Sequence, residues 1–341
     1  MKKALVVLLS LVAAGALFAA DAPTFALSGA VKTGVLFQTG DSNEDGSWKL
    51  YNDDAGKTSR LEIVGTYADA DYGLKFRLRS DDFAAAPSVS YAYVWGDFLA
   101  DMITFKAGAV DDGAWATKGD TGFDVADGKG IQVQFKPIAG MNFGLKLDLV
   151  AANATTEQFI GETAVGLGYT AEKFNFQAGY KMDSSVDGTA GSEDEAFAYA
   201  GIQFVGIEAL TVTAEAKLTN LGDTAVAAAV TTIDEVVEYT GIESLTLGLI
   251  SYQVLSGDDN VDMKISVNPY ANYKLNDKAT AKLGVYYEMQ GDASDIWVQP
   301  GVEYILGAKA KVNAFLNYDM KDTGAVATND TKIQIDFLYS F

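Results

Sequence analysis

The sequence predicts an all-β protein, folded as one closed antiparallel transmembrane β-barrel of about 18 strands. Apolar and polar residues alternate with a period of two from Phe25 to Phe341, which is typical of strands with one apolar and one wet face. Helical spacing of apolar residues is nearly absent beyond the first twenty residues. Short and long connections between these segments alternate along the chain, as expected for the hairpins at the two ends of a barrel.

The strand segments follow one another without a linker. The first has Phe25, Leu27, Val31, Val35 and Phe37 on one face. Later segments alternate at Leu61/Ile63/Tyr67, Leu74/Phe76/Leu78, Val89/Tyr91/Tyr93/Trp95, Ile103/Phe105/Ala107, Ile131/Val133/Phe135, Leu145/Leu147/Leu149, Val165/Leu167/Tyr169 and Phe174/Phe176/Tyr180. Others centre near Phe197, Val212, Val237, Leu247, Val267, Val285, Val298 and Val312. If the segments near Phe197 and Val237 are not strands, the count falls to about 16, which a closed barrel also allows.

The connections predict the orientation of the barrel. Long loops are expected at Thr39–Lys57, Val110–Lys129, Asp183–Glu195, Leu221–Val226, Ser256–Asn260 and Lys321–Asp330, with tight turns between them. Outer-membrane barrels have tight periplasmic turns and longer external loops. This alternation and the even strand count both place the two termini on the periplasmic side.

The last eleven residues form a strand with two distinct faces. One face carries apolar side chains: Ile333, Ile335, Phe337, Tyr339 and Phe341. The other face carries mainly polar ones: Lys332, Gln334, Asp336 and Ser340. This strand resembles the closing strand of bacterial outer-membrane β-barrels, in which the terminal Phe is part of the signal for barrel assembly. The resemblance implies a bacterial outer-membrane location, with membrane lipid and the barrel-assembly machinery as partners.

The first twenty residues are expected to be a secretory signal peptide, and residues 21–341 the barrel. Lys2 and Lys3 supply the positive start, an apolar run follows from Ala4 to Phe18, and small residues precede Asp21. The apolar run is short for a membrane helix, which needs roughly 20 residues. The chain has no cysteine, which excludes disulfide bonds and a cysteine-linked lipid anchor.

The composition excludes several classes of function. The formal net charge is −21, which argues against binding to nucleic acid. The chain has no histidine, so it lacks the commonest general base and metal ligand. No phosphate-binding glycine loop, metal cluster or activated nucleophile is evident in the sequence. We therefore expect neither an enzyme nor a protein with a cofactor or bound metal.

Aromatic residues gather at one end of the predicted strands. Those close to a short turn or to the end of the chain are Tyr67, Phe98, Tyr169, Tyr239, Tyr273, Tyr304 and Phe341. Amphipathic rings prefer the boundary between lipid and water, so this group predicts an aromatic girdle at the periplasmic interface. The alternative is that tyrosine is simply frequent in strands.

All three arginines of the chain lie on two neighbouring predicted strands. With Lys75 on the same wet face and Lys32 on the adjoining first strand, they form a basic cluster: Lys32, Arg60, Lys75, Arg77 and Arg79. A basic side chain facing lipid costs roughly 2–4 kcal/mol, so the cluster should face the lumen. One interpretation is a functional basic wall. The alternative is that these residues pair with acids such as Glu62 and hold the wall together.

The third external loop is long, rich in glycine and acidic. Its aspartates are Asp111, Asp112, Asp120, Asp124 and Asp127. The loop resembles the third loop of bacterial porins, which folds into the barrel and narrows the channel opposite a basic wall. That resemblance implies a constriction between these aspartates and the basic cluster. The alternative is a solvated surface loop, because aspartate-rich spacing alone does not make a metal cage.

These features predict an outer-membrane porin that lets small hydrophilic solutes and ions diffuse through a water-filled barrel. Alternatives are a channel selective for sugars or organic anions, and a surface barrel or adhesin that transports nothing. Inward-facing rings would favour a sugar path, and four are expected on the lumen face: Tyr270, Tyr286, Trp297 and Phe315. A homotrimer is one assembly that the porin resemblance leaves open.

Overall fold

A computed structural model describes residues 23–41, 43–50, 59–83, 85–110, 128–148, 163–181, 196–221, 228–258 and 260–341. No helix within these ranges is long and apolar enough to cross a membrane. The first strand segments are β1 (Thr24–Gly40), β2 (Asn43–Leu50), β3 (Arg60–Ala68), β4 (Tyr72–Ser80), β5 (Ser88–Phe98) and β6 (Ile103–Val110). The next are β7 (Gly128–Phe135), β8 (Met141–Asp148), β9 (Thr163–Thr170), β10 (Phe174–Lys181), β11 (Phe197–Ile207), β12 (Leu210–Thr219) and β13 (Val230–Ile242). The last are β14 (Leu245–Ser256), β15 (Lys264–Lys274), β16 (Ala279–Gln290), β17 (Ala293–Gly307), β18 (Ala310–Asp322) and β19 (Ala327–Ser340).

The sheet closes on itself between its first and last strands. β1 and β19 pair antiparallel, from Ala30 opposite Ser340 to Gly40 opposite Asp330. At the end of this seam Gly29 and Phe341 exchange two backbone hydrogen bonds of 3.1 and 3.0 Å. A closed sheet leaves no row of unpaired backbone groups, which is the condition for crossing lipid with strands. The predicted closed antiparallel barrel is confirmed.

β2 and β3 together fill one position in the barrel wall. β2 pairs with the upper part of β1, from Val35 to Gly40, and β3 pairs with its lower part, from Thr24 to Lys32. Nineteen strand segments therefore make 18 positions around the wall, and the alternative count of 16 is wrong. The prediction of one long loop over Thr39–Lys57 is also wrong, because residues 43–50 continue the sheet. Their acidic sequence hides the alternation.

The two faces of the strands separate as predicted, with one exception. In β19 the outward side chains of Ile333, Phe337 and Tyr339 are exposed, whereas the inward Gln334 and Asp336 are buried. In β5, however, Tyr91, Tyr93 and Trp95 face the lumen, since Tyr91 lies opposite Arg77 and Tyr93 opposite Lys75. A register shift where β4 and β5 pair, at Arg77 and Leu78, accompanies this arrangement. Aromatic rings fit either face, so alternation alone could not assign them.

Both ends of the described chain lie at one end of the barrel, here called the near end. The near-end connections are tight, and the predicted girdle residues Phe98, Tyr239, Tyr273 and Tyr304 are exposed beside them. At the far end the connections become short after β15: two residues join β16 to β17, and residues 323–326 join β18 to β19. The long loop expected over Lys321–Asp330 is therefore wrong. Strand pairing continues through most of it.

Candidate functional site

The predicted basic cluster comes together on the lumen face of β1, β3 and β4. Lys32 lies directly opposite Arg60, and Arg79 lies opposite Glu62. Arg77 and Lys75 continue the same inward row along β4. Side chains on one face of neighbouring strands are about 5 Å apart, so these cations repel one another unless acids lie between them. The described contacts show how that repulsion is relieved.

Asp81 is shared by two arginines. The Nε atoms of Arg60 and Arg79 donate to Asp81 Oδ1 at 2.9 and 2.8 Å. Hydrogen bonds from Arg79 first, and also from Arg60, lower the pKa of the Asp81 carboxyl. Two cations and one carboxylate leave this group with a net positive charge. Asp81 follows the last residue of β4 in a turn, where strand alternation gives no information, so its role could not be predicted from the sequence.

Arg77 and Lys75 are held against Tyr91. The Arg77 guanidinium lies 4.7 Å from the centre of the Tyr91 ring, and Lys75 Nζ lies 5.1 Å from it. Cations over an aromatic face gain about 0.5–1 kcal/mol at exposed sites and more where the contact is desolvated, and the Tyr91 ring is buried. Arg77 is also 3.8 Å from Glu62. The structure thus supports part of the alternative interpretation, since several of these residues do brace the wall.

The acidic half of the predicted constriction lies outside the described residues. This applies to Asp111, Asp112, Asp120, Asp124 and Asp127 alike. Among described residues, acids occur on the wall facing the cluster. β12 and β13 are nine positions from β3 and β4 in a ring of 18, and their lumen faces carry Glu215, Asp234 and Glu238. The barrel wall itself therefore has a basic and an acidic side.

Glu303 carries a second shared carboxylate, close to the near end of the barrel. Lys282 Nζ and Lys311 Nζ donate to Glu303 Oε2 at 3.0 and 3.1 Å. This trio again carries a net positive charge. Further along the same wall, Lys264 pairs with Glu288 at 3.0 Å and Lys332 with Asp319 at 3.5 Å. The wall from β15 to β19 is thus lined by paired charges.

The lumen surface divides into two arcs with different accessibility. On β6–β12, the buried arc, most inward polar side chains are buried: Gln132 is 0% exposed, and Lys146 and Glu215 are each 2% exposed. On β15–β19 with β1, β3 and β4, the exposed arc, charged side chains such as those of Arg60 and Lys311 are each 38% exposed. Gln334 and Asp336 are buried exceptions. Water therefore reaches the wall mainly along the exposed arc.

Aromatic rings lie on the lumen face between these charges, as predicted. The Tyr286 and Trp297 rings are stacked with centroids 5.0 Å apart. Tyr270 donates a hydrogen bond of 2.8 Å to Glu238. The ring of Tyr270 lies over Gly248 of the neighbouring strand, and the ring of Phe315 lies over Gly301. Only glycine leaves room for a ring to lie this close to the wall.

Comparisons with known proteins give a structural likeness. No protein-family model and no curated protein matches the chain. OmpT of Vibrio cholerae, an outer-membrane protein, superposes with a TM-score of 0.55 at 18% identity, over 95% of this chain and 99% of that one. An anion-selective porin from Comamonas acidovorans gives 0.56 at 14% identity, over 94% and 100%. A doubly substituted Rh. blastica porin gives 0.53 at 18%, over 93% and 100%.

The chain has the porin fold. At these identities the likeness establishes the fold and no residue-level role. The two porin superpositions include 93–94% of this chain and the whole of each porin. Barrels of about 16–18 strands leave an aqueous channel through the middle, whereas barrels of about eight fill with side chains. The porin fold of this chain is therefore wide enough for a solute path.

Proposed function

We propose that this protein is an outer-membrane porin through which small hydrophilic solutes and ions diffuse passively. The observation that carries the proposal is the exposed arc: charged, water-accessible side chains line one side of a closed 18-position barrel. A polar interior inside an apolar outer band is the arrangement of water-filled outer-membrane channels. A solute would move along the exposed arc, because the side chains of the buried arc are already covered.

The charges of the exposed arc favour anions. Asp81 is shared by two arginines and Glu303 by two lysines, so each group has one positive charge in excess. Arg79 is the eighth residue of β4 counted from the near end, and Lys311 is the second residue of β18. The two groups therefore lie at different depths. Charged groups along a pore select ions by sign, and two positive sites in sequence attract anions at both depths.

The third loop completes the proposed constriction. Its five aspartates, folded inward, would face the basic cluster and narrow the path. The transverse field this creates adds to the field between the cluster and the acids on β12 and β13. Polar solutes with a dipole align in such a field, which favours small zwitterions and ions over apolar molecules of equal size.

Reconstitution into planar lipid bilayers tests the proposal. Discrete conductance steps are expected, with a reversal potential that indicates anion preference in a salt gradient. Absence of steps would contradict the channel. The double change Arg77→Glu and Arg79→Glu should move the reversal potential toward cations. The matched control is Lys278→Glu with Lys309→Glu, which changes charge equally in two near-end turns and should move it less.

A sugar-selective channel is the second candidate, favoured by the stacked Tyr286 and Trp297 rings. Aromatic faces pack against the apolar faces of sugars, and neighbouring amides bind hydroxyls. Gln299 and Asn317 supply amides near the stacked pair, joined by a hydrogen bond of 2.5 Å. Liposome swelling separates the candidates. If Trp297→Ala slows a disaccharide but leaves a small ion unaffected, the channel is sugar-selective; equal rates support the general porin.

A further inference from the structure

The Trp297 ring has one face covered by a neighbouring ring and one face turned toward an acid. Tyr286 lies directly opposite Trp297 on β16, and the two rings are stacked at an angle of 19°. The strand on the other side, β18, places Asp319 directly opposite Trp297. An aspartate is shorter than an indole, so it leaves the outer part of the second face open to the lumen. No other ring or cation contact of Trp297 occurs among the described residues.

Two carboxyl groups lie beside this open indole face. Asp295 is two residues before Trp297 on the same lumen face of β17, and its side chain meets that of Asp319 on the diagonal. The Oδ1 atoms of both aspartates receive no hydrogen bond from any described residue. Two carboxylates in contact repel each other, so a proton or another cation between them is favourable. The open face of Trp297 is therefore next to an excess of negative charge.

An organic ammonium group is the ligand that these surroundings favour. The face of an indole attracts cations that lie within about 6 Å of the ring centre, and ammonium groups with several methyl substituents bind such faces well. The carboxylates beside the ring add an attraction for positive charge that a neutral sugar does not gain. Water reaches the site, since the Asp319 side chain is 22% exposed. A dissolved cation can therefore enter it from the lumen.

A lysine without an ion pair lies next to the same site. Lys321 lies directly opposite Asp295 on β18 and is exposed. It makes no ion pair with a described residue, whereas Lys332 lies 3.5 Å from Asp319. Side chains that lie opposite each other on neighbouring strands are about 5 Å apart. The site thus offers negative and positive groups at a short separation, which matches a small solute that carries an ammonium and a carboxylate group.

We propose that Trp297, Asp295 and Asp319 bind the ammonium group of a small zwitterion, whose carboxylate binds Lys321. Asp295 and Trp297 are the third and fifth residues of β17, so the site lies close to the far end of the barrel. The inference deepens the proposed porin function by naming a class of solute, and it rests on the water-filled lumen of that proposal. A zwitterion has no net charge, so the positive groups of the exposed arc do not exclude it.

Titration calorimetry on the full chain in detergent tests the site without requiring conduction. The probe is trimethylglycine, a zwitterion, and the comparison solutes are tetramethylammonium, acetate and maltose. We expect trimethylglycine to bind more tightly than tetramethylammonium, because its carboxylate also reaches Lys321. Acetate and maltose should bind more weakly than either. Tighter binding of maltose would overturn the inference in favour of a sugar path, and acetate binding equal to that of trimethylglycine would overturn the ammonium site.

Single substitutions locate the ammonium group. Trp297→Leu should weaken the binding of trimethylglycine about tenfold, whereas Trp297→Phe keeps an aromatic face and should weaken it less. Asp319→Asn should also weaken it about tenfold, because a charged hydrogen-bond acceptor is lost. The matched control is Asp322→Asn on the outward face of the same strand, which should leave binding unchanged. Wild-type affinity in Trp297→Leu, or an equal loss in Asp322→Asn and Asp319→Asn, would contradict the site.

Lys321→Gln separates the two halves of the site. It should weaken the binding of trimethylglycine about threefold and leave that of tetramethylammonium equal or tighter, since only the zwitterion uses the lysine. An equal loss for both solutes would overturn the role of Lys321. Conductance in planar bilayers distinguishes this inference from the porin proposal. A conducting protein that does not bind trimethylglycine would overturn the site alone, and a protein that binds it without conductance steps would overturn the channel alone.

Discussion

The two arcs of the lumen contain the same polar and charged residue types, but these residues have different roles in each arc. In the buried arc, Gln177 donates to Glu215 at 2.9 Å in a fully buried hydrogen bond, and Asn175 donates to the half-buried Gln203 at 3.1 Å. In the exposed arc, lysines and arginines share carboxylates and remain partly hydrated. The first arrangement makes polar groups part of a packed interior. The second leaves them available to a passing solute, so a lumen-facing charge is not by itself evidence of a path.

Chemical labelling should separate the arcs most clearly. A cysteine reacts with a water-soluble thiol reagent only where water reaches it. Lys311→Cys lies in the exposed arc, and Glu303 keeps Lys282 as a partner. We expect a charged reagent to modify Lys311→Cys and to change the conductance. Gln132→Cys, at a buried position, should stay unmodified over the same time; equal labelling of both would remove the distinction between the arcs.

The free energy of unfolding should respond more to a substitution in the buried arc than to one in the exposed arc. Gln177→Leu removes the donor to the buried Glu215 carboxylate, and we expect a loss of about 1.5–3 kcal/mol in the free energy of unfolding. Lys332→Leu removes a partly hydrated partner of Asp319 and should cost less than about 1 kcal/mol. Denaturant unfolding followed by tryptophan fluorescence measures both. If Lys332→Leu is the more damaging, hydration does not distinguish the arcs.

The smallest expected effect is the pH dependence of stability and ion selectivity that the shared Asp81 causes. Its pKa is lower in the folded barrel than in the unfolded chain, because Arg79 and Arg60 donate to its carboxylate. Its contribution to stability is therefore complete above the unfolded pKa of about 3.9 and is lost as the pH falls through the lower folded value. The Asp81→Asn variant should be more selective for anions than the wild type.

That difference should stay constant from pH 7 to about 4 and disappear only below the pKa of Asp81. Reversal potentials of both proteins across this range measure it. A difference that already fades between pH 7 and 5 would show that the arginines do not hold Asp81 ionised.

Alternation made most of the fold and half of the candidate site predictable. Side chains in a strand change face at every residue, so the inward direction of Arg60, Arg77 and Arg79 followed from the apolar residues between them. β2 was not predicted because its first half, residues 43–46, has no apolar side chain, so that only Trp48 and Leu50 alternate with polar residues. The inward direction of the β5 rings was not predicted, because aromatic side chains occur on lipid-facing, lumen-facing and interfacial surfaces alike.

The remainder depends on contacts that no local pattern encodes. Asp81 lies in a turn and meets Arg60, 21 residues away, only after β3 and β4 have paired. The outward direction of Glu235 was equally hidden, because Asp234 and Glu235 are adjacent acids. Only the pairing of β12 with β13 decides which of them faces the membrane.

The glycines beneath the lumen rings have a further consequence for the width of the passage. A methyl group at Gly301 would overlap the Phe315 ring, and one at Gly248 would overlap the Tyr270 ring. Either ring would then have to swing away from the wall toward the pore axis. The two glycines therefore keep both rings against the wall, and a substitution to alanine at either would narrow this part of the passage without altering a charge.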